Sequence, residues 1–246
     1  MDSSKMITYN TIRRDYQAHC SVEVIIVDHY AKIVSPVFTR YFVAAGISPN
    51  AVTVLMMIFG VIGAFLFAIP HMLFKACGLI LIHLWYVMDC SDGEVARITK
   101  RFSQFGTELD YTAHLVCHPL FCIAFACSLI SMARYDSQIV LFVSMACISS
   151  ELVLRNIMLF FYIYDLKMGS ATMTKGKHGR IKTIAIHVTN ALSIYPNYAL
   201  IFPIAYFIDY CYGTSIALYY LFVQTTIASL MAARMCVKWI RTVVGI

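Results

Sequence analysis

Long apolar stretches alternate with short polar connections along most of this chain. An α-helix needs about 20 mostly apolar residues to cross a bilayer. Six stretches reach that length, and they predict six spanning helices over residues 50–69, 72–97, 103–132, 137–163, 183–208 and 213–238. Because several connections are short, consecutive helices should run antiparallel in one bundle. The pattern therefore predicts an all-α integral membrane protein with six transmembrane helices.

The segment before the first predicted span has a different pattern. Residues 22–45 mix apolar side chains with Asp28, Lys32 and Arg40, and Pro36 interrupts them. This mixture is typical of a helix that lies in the membrane interface. We therefore expect a cytoplasmic N-terminal segment, residues 1–47, with an interfacial amphipathic helix, and a six-helix transmembrane domain, residues 48–246. No signal peptide is expected, since the first 17 residues are polar and no short apolar core with a cleavage site follows.

Composition and charge support a membrane protein and predict its orientation. Charged residues make up 13% of the chain and hydrophobic residues 60%, whereas a soluble domain has about 25% charged residues. With the N-terminus in the cytoplasm, 16 of the 19 Lys and Arg residues face the cytoplasm, Arg155 lies within a span, and only Lys75 and Arg134 face the other side. This asymmetry predicts cytoplasmic termini. Nucleic-acid binding is not expected, because no long basic run with interleaved aromatic residues stands outside the membrane.

Three carboxylates, Asp89, Asp92 and Asp110, lie at the junction of the second and third predicted spans. One Asp at a bilayer centre costs about 2.5–3.5 kcal/mol on insertion scales, so a cation, a substrate or water should compensate their charge. On the second span, Asp89 and Asp92 share a helix face with Gly93 and Ala96, because the four are spaced i, i+3, i+4 and i+7. The small residues leave room for a ligand or another backbone.

The third predicted span brings a second face to the same place. Gly106, Asp110 and His114 repeat at i, i+4 and i+8 and lie on one side of the helix. A short cytoplasmic turn joins the two spans, so both faces should meet around one pocket. Carboxylates without thiolates suit hard cations such as Mg²⁺ or Mn²⁺, which often bind together with substrate phosphates. The alternative is an ordinary cytoplasmic loop in which Asp110 pairs with an Arg. The basic residues at the rim, which would hold phosphates, are Arg97, Lys100 and Arg101.

The segment from Asp89 to His114 reads D-x-x-D-G-x-x-A-R-x₈-G-x-x-x-D-x-x-x-H. It strongly resembles the signature of the CDP-alcohol phosphotransferases, in which the last position is Asp. Ser48-Pro49-Asn50 and Gly179-Arg180-Ile181-Lys182-Thr183 are similar to further elements of that family. The resemblance implies a six-span homodimer. It also implies transfer of a substituted phosphate from a CDP-alcohol, such as CDP-diacylglycerol, to the hydroxyl of an acceptor alcohol, with release of CMP.

The resemblance also implies roles for individual residues. His114 stands where the family has a metal ligand and general base, and neutral imidazole, with an ordinary pKa near 6.5, is competent as a base. We therefore expect His114 to be catalytic. The predicted ligands of Mg²⁺ or Mn²⁺ are Asp89, Asp92, Asp110 and His114. The predicted nucleotide-binding residues are Asp89, Asp92, Gly93, Ala96, Arg97 and Gly106. The alternative is a catalytically silent homologue that acts as a membrane lipid- or nucleotide-binding partner protein.

Basic residues elsewhere are expected to bind the acceptor phosphate. Glu151 and Arg155 lie one turn apart in the fourth predicted span, where ionisable residues are functional candidates; the alternative is an i, i+4 pair that satisfies itself. Members of the family often carry an Arg near the acceptor in this span, which favours Arg155. The loop before the fifth predicted span is the second candidate, with attraction to anionic lipids as its alternative. Its predicted phosphate-binding residues are Lys177, Arg180 and Lys182.

Two further predictions concern ligands and transport. His83, His118 and His187 lie singly among apolar residues, so we expect core histidines rather than ligands. A second alternative is that the protein is a cation transporter with the Asp cluster as its transport site. However, the cluster lies at one predicted membrane edge, whereas transporters usually bind ions near the midplane. The expected partners are a CDP-alcohol donor, an alcohol acceptor and membrane lipids, at an active site on the cytoplasmic side.

Overall fold

The computed structural model describes residues 7–17, 26–168 and 195–245, and within these ranges the chain forms helices and no strand. A short helical turn, Tyr9–Thr11, continues as a π-helical turn over Ile12–Tyr16. We call residues 7–17 the N-terminal segment. The longer helices are α1 (Ile26–Ala44), α2 (Pro49–Ala68), α3 (Met72–Thr99), α4 (Gly106–Ser131), α5 (Ser137–Met168), α6 (Tyr195–Tyr212) and α7 (Ile216–Val244).

Among the described residues, five helices are long and apolar enough to cross a membrane, namely α2, α3, α4, α5 and α7. The prediction of an all-helical, multi-pass membrane protein is therefore confirmed. The fifth predicted span, 183–208, begins outside the described residues; its described part, together with residues up to Tyr212, forms α6, a helix of 18 residues. The count of six spans and the cytoplasmic orientation stay predictions.

Within the segment predicted as an interfacial helix, residues 22–45, residues 26–44 form α1, and Pro36 does not interrupt that helix; residues 22–25 lie outside the described ranges. A proline inside a helix leaves the carbonyl four residues earlier without its donor. Here Gln17 Nε2 donates to that carbonyl, Lys32 O, at 2.6 Å, and Tyr9 Oη donates to Ile33 O at 2.7 Å. The N-terminal segment thus supplies donors at the proline, which explains why the helix continues. The position of α1 in the membrane interface stays a prediction.

Helices α2 and α3 approach each other closely at two glycines. A Cβ atom on Gly78 would lie 2.5 Å from Phe67 N and 2.6 Å from Gly63 O, both of them backbone atoms. Within a membrane, small residues at helix contacts allow this approach. Helix α4 also packs against α2, and α1 packs against α3. These contacts hold α3 and α4, which carry the predicted site, in fixed register.

Two carboxylates cap helices at the end of the bundle away from the predicted site. Asp209 Oδ1 accepts from Ile216 N and Asp209 Oδ2 accepts from Ala217 N, both at 2.8 Å, at the start of α7. Asp136 Oδ1 accepts from Gln138 N at 2.7 Å at the start of α5. Carboxylates at helix N-termini satisfy free N–H groups and the helix dipole. Both charges are therefore used within the fold.

Candidate active site

Asp89 on α3 and His114 on α4 face each other across the two helices. His114 Nε2 lies 3.1 Å from Asp89 Oδ1 and 3.5 Å from Asp110 Oδ1. One ligand atom from each of the three side chains lies within 4.8 Å of the other two. The i, i+4 spacing places Asp110 and His114 on one face of α4, and the short connection turns that face toward α3. The structure therefore brings together three of the four predicted metal ligands.

A buried carboxylate oxygen within this group of three side chains is evidence for a bound cation. Asp110 Oδ1 is buried and has no hydrogen-bond partner among the described residues, although it lies within ion-pair distance of His114. A buried polar atom without a partner is costly, and a bound cation would satisfy it. Two carboxylates and an imidazole form a donor set that suits a divalent metal ion. The residues present thus fit the metal that the motif implies.

Asp92, the fourth predicted ligand, lies one turn further along α3 and is not part of that group of three. Thr53 Oγ1, from the first turns of α2, donates to Asp92 Oδ2 at 2.8 Å. Thr53 is buried and sits between the two helices. Its contribution was not predicted, because no charge or motif marks it in the sequence.

A cavity of about 280 Å³ opens beside Asp92 and Asp110, between the start of α2, the end of α3 and the start of α4. Asp89 does not line this cavity and lies on the side of His114. The predicted nucleotide-binding side chains are otherwise gathered here. Those that line the cavity are Asp92, Gly93, Ala96, Arg97 and Gly106, together with Arg101 from the predicted rim.

The guanidinium of Arg97 lies over Gly93 within this cavity. A Cβ atom at Gly93 would come within 3.0 Å of Arg97 Nη1, so the glycine leaves the space that the guanidinium occupies. Arg97 Nε donates to the backbone carbonyl of Tyr16. The N-terminal segment therefore reaches the cavity and orients Arg97, a contact that the sequence did not predict.

Glu94, between the motif positions, is almost fully buried, with 1% of its surface exposed. Ser35 Oγ donates to Oε1 and Thr39 Oγ1 donates to Oε2, each at 2.6 Å, and Gln17 Nε2 donates to Oε1 at 2.8 Å. These bonds tie α1 and the N-terminal segment to α3 beside the cavity. The pattern that marks this contact is the i, i+4 spacing of Ser35 and Thr39 on α1.

Arg155 and His118 extend the site by a chain of hydrogen bonds. Arg155 Nη2 lies 2.5 Å from His118 Nδ1, and His118 Nε2 lies 3.2 Å from His114 Nδ1. Because a guanidinium only donates, His118 Nδ1 accepts, so its Nε2–H donates to His114 Nδ1. The remaining N–H of a neutral His114, at Nε2, then donates to Asp89. The directions of these bonds fix the tautomers of both imidazoles.

His118 is a core histidine, as predicted, with 3% of its surface exposed, but it does not stand alone. Its ring also packs against Trp85, with centroids 5.2 Å apart, and Trp85 packs in turn against His114, with centroids 4.8 Å apart. The sequence prediction missed the polar role of His118 because it considered only the apolar residues adjacent to it in the sequence. Its position four residues after His114 is the signal that predicts the contact.

The structure places the remaining described residues predicted from the sequence outside the group of three ligands. Glu151 and Arg155 form no ion pair among the described residues, and Gln224 Nε2 donates to Glu151 Oε1 at 3.4 Å. Arg155 does not line the 280 Å³ cavity and reaches the site through His118. His83 is hydrogen-bonded to the hydroxyl of Tyr30, and burial raises the pKa of that hydroxyl. Four residues named in the sequence predictions lie outside the described ranges, namely Lys177, Arg180, Lys182 and His187.

Comparison with known proteins identifies a family and a fold. The sequence model of the CDP-alcohol phosphatidyltransferase family matches residues 46–245. The fold is similar to that of Mycobacterium tuberculosis phosphatidylinositol phosphate synthase with CDP-DAG bound (TM-score 0.57, 18% identity, 85% of this chain and 93% of that chain covered). The apo form of that synthase gives a TM-score of 0.55 at 20% identity and covers 84% and 94% of the two chains. No curated protein matches the sequence significantly.

Proposed function

This chain belongs to the CDP-alcohol phosphatidyltransferase family, and from that premise we propose the reaction that its site performs. The protein transfers the substituted phosphate of a CDP-alcohol, such as CDP-diacylglycerol, to the hydroxyl of an acceptor alcohol in phospholipid biosynthesis. The bond between that phosphate and CMP breaks, a new P–O bond to the acceptor forms, and CMP and the hydroxyl proton are released. The observation that carries this proposal is the convergence of Asp89, Asp110 and His114 beside the 280 Å³ cavity.

A divalent cation, Mg²⁺ or Mn²⁺, is the proposed cofactor. Asp89 and Asp110 would hold it, with His114 beside them and Asp92 at the edge of the cavity. When bound, it would neutralise charge on the pyrophosphate and on the leaving CMP. Asp110 Oδ1 supports this assignment, because it is buried, has no hydrogen-bond partner among the described residues and lies 3.5 Å from His114 Nε2.

The cavity is the proposed nucleotide site. Gly93, Ala96 and Gly106 leave its wall open, and Arg97 presents a guanidinium that matches a phosphate in shape and charge. The carbonyl of Tyr16 holds Arg97 in position. We infer that the N-terminal segment takes part in donor binding by orienting this side chain.

His114 has two proposed roles, metal ligand and general base toward the acceptor hydroxyl. Each role needs Nε2 without its proton, and because Nε2 has one lone pair it can serve only one role at a time. In the arrangement described, the donation from Arg155 through His118 leaves that proton on Nε2, directed at Asp89. Either role therefore requires the proton to move from Nε2 to Nδ1, with the hydrogen bond between His114 and His118 reversed or broken, because loss of the proton alone would leave an imidazolate. An Asp at the same position, as in the family motif, has no such requirement.

The acceptor phosphate is the proposed ligand of the basic residues away from the motif. Arg155 is connected to the carboxylate group through His118, which supports a place near the acceptor. The loop cluster is proposed on charge alone and consists of Lys177, Arg180 and Lys182. By the positive-inside pattern the active site faces the cytoplasm, and by family resemblance the protein is a homodimer.

One observation favours a second function, that of a catalytically silent lipid- or nucleotide-binding homologue. The Nε2–H of His114 occupies the Asp89 oxygen that a cation would use. Release of CMP separates the two functions. Purified protein should be incubated with Mn²⁺, CDP-diacylglycerol or soluble CDP-alcohols, and a panel of acceptor alcohols, with Asp110→Asn as the matched control. CMP above the control supports the transferase. Nucleotide binding without CMP release from any pair supports the silent homologue.

A further inference from the structure

A second cavity, of about 250 Å³, lies at the opposite end of the helices from the carboxylates. At about 1.5 Å per residue, Lys75 lies roughly 20 Å from Asp89 along α3. The cavity therefore does not belong to the site described above. Its polar lining comes from the start of α3, the end of α4 with the turn that follows, and α6, and consists of Lys75, Ser131, Arg134, Tyr206 and Tyr210.

Lys75 is a buried cation, with 2% of its surface exposed. Its Nζ donates to Phe67 O at 2.9 Å and to Ser128 Oγ at 2.7 Å, and it lies 5.0 Å from the ring centroid of Tyr206. An ammonium has three donors, so these two hydrogen bonds leave one N–H, and Lys75 is one of the residues that line the cavity. No carboxylate lies within ion-pair distance of Lys75 among the residues that the structure describes.

Arg134 lines the same cavity and likewise has no ion pair in the described part of the chain. Its Nη1 donates to the backbone carbonyl of Asp209 at 2.9 Å, and a guanidinium has further N–H groups. The Asp209 carboxylate is used at the start of α7, and that of Asp136 at the start of α5. The cavity thus has two cations and several hydroxyls in its wall and no carboxylate.

The predicted topology gives a further reason to assign these two cations a binding role. In the predicted topology, Lys75 and Arg134 are the two basic residues on the non-cytoplasmic side, where membrane proteins have few. Lys75 lies on α3 and Arg134 lies in the turn after α4, and the fold brings both to one cavity. A topological role does not explain this convergence, because positive charge on that side opposes the predicted orientation.

We propose that this cavity binds a phosphate group, either that of a phospholipid headgroup or free phosphate. A guanidinium binds phosphate oxygens through two parallel N–H groups, and the lysine adds a point charge and a donor. Because the cavity lies at the ends of the spanning helices, it is at the depth where lipid headgroups lie. The bound phosphate supplies the negative charge that the described fold does not provide to Lys75.

Native mass spectrometry of the delipidated, full-length protein tests this proposal. With phosphatidylglycerol added, the parent should retain one more phospholipid than Arg134→Gln or Lys75→Met, and each variant should bind that lipid at least tenfold more weakly. Arg241→Gln, in the last turn of α7, is the matched control and should bind like the parent. Lipid bound at the catalytic cavity should be the same in the parent and the variants, so it does not contribute to the difference between them. Equal binding in Arg134→Gln and the parent would overturn the proposal.

Two further arms identify the source of the phosphate and keep the result interpretable. Titration calorimetry with inorganic phosphate in lipid-free detergent tests free phosphate, and diacylglycerol, which has no phosphate, should show no difference between parent and variants. A difference with diacylglycerol would contradict the assignment. Because Lys75 caps α2 through Phe67 O, Lys75→Met can fail to fold, and Arg134→Gln then decides alone. CMP release by Arg134→Gln should equal that of the parent, which separates this site from the proposed reaction.

Discussion

Asp89 and His114, 25 residues apart in sequence, are joined by a contact of 3.1 Å between Oδ1 and Nε2. This contact joins the two helices that carry the motif. It also places the imidazole within 3.5 Å of Asp110, so that one side chain touches two carboxylates. The position that departs from the family motif is thus at the centre of the candidate site, and its chemistry decides how the site works.

Substitution of His114 should show whether its side chain is needed for turnover. His114→Ala should lower kcat/KM by about 10²–10⁴, the usual contribution of a general base. His114→Asp restores the family motif and should retain activity. A parent-like rate in His114→Ala would show that the base lies elsewhere. An inactive parent combined with an active His114→Asp would favour the silent homologue.

Replacement of His118 should weaken metal binding, because His118 orients His114. In His118→Ala the His114 ring loses the hydrogen bond at Nδ1 and the edge-to-face contact with His118, with centroids 4.9 Å apart, which fix the position of the ring beside Asp89 and Asp110. The variant also lets Nδ1 hold the proton, so a higher Mn²⁺ affinity would show that the tautomer, rather than the ring position, limits metal binding. Substitutions of residues behind a metal ligand typically cost about 10–100-fold in metal affinity or activity, and we expect a loss of that size in Mn²⁺ affinity, measured by electron paramagnetic resonance. His83→Ala is the control, since His83 bonds to Tyr30 on α1 instead. An unchanged Mn²⁺ affinity in His118→Ala would remove His118 from the site.

The close approach of α2 and α3 predicts a large effect of a small substitution. Gly78→Ala places a methyl group 2.5 Å from backbone atoms that cannot move aside. Overpacking of this kind costs about 1–3 kcal/mol, so the melting temperature in detergent should fall. Gly106→Ala is the comparison, because its new Cβ would meet its nearest neighbour at 3.4 Å, an ordinary contact. Equal melting temperatures in the two variants would contradict the packing described.

Glu94 should matter for stability rather than for charge at the cavity. Glu94→Gln replaces one acceptor oxygen by an NH₂ group, so a facing Ser or Thr hydroxyl must turn from donor to acceptor. If the new amide hydrogens remain unsatisfied, the buried group costs about 1–3 kcal/mol. Unfolding should therefore begin at lower temperature, and limited proteolysis should cut the N-terminal segment faster. Glu108→Gln, at an exposed position in the first turn of α4, should behave like the parent. If both variants are as stable as the parent, Glu94 does not hold the segment.

Helical periodicity predicted the meeting of Asp89, Asp110 and His114, although it also placed Asp92 with them, and Asp92 lies outside that group of three. Asp110 and His114 are one turn apart, and a short connection brings them opposite Asp89, so the group follows from local geometry. The continuation of α1 through Pro36 did not follow, because the donors come from Gln17 and Tyr9, which are distant in sequence. The chain from His114 to Arg155 was missed for the same reason, since α5 reaches α4 only through tertiary packing.

The central claim is that Asp89, Asp110 and His114 form the metal site of a CDP-alcohol phosphatidyltransferase. The most direct test is CMP release from CDP-diacylglycerol by the purified protein with Mn²⁺, with EDTA, and in the Asp110→Asn variant, which removes a ligand charge without changing the side-chain volume. The account predicts release that needs Mn²⁺, stops with EDTA, returns when Mn²⁺ is restored and is absent in Asp110→Asn. Full CMP release in metal-free buffer, or an Asp110→Asn variant as fast as the parent, would contradict it.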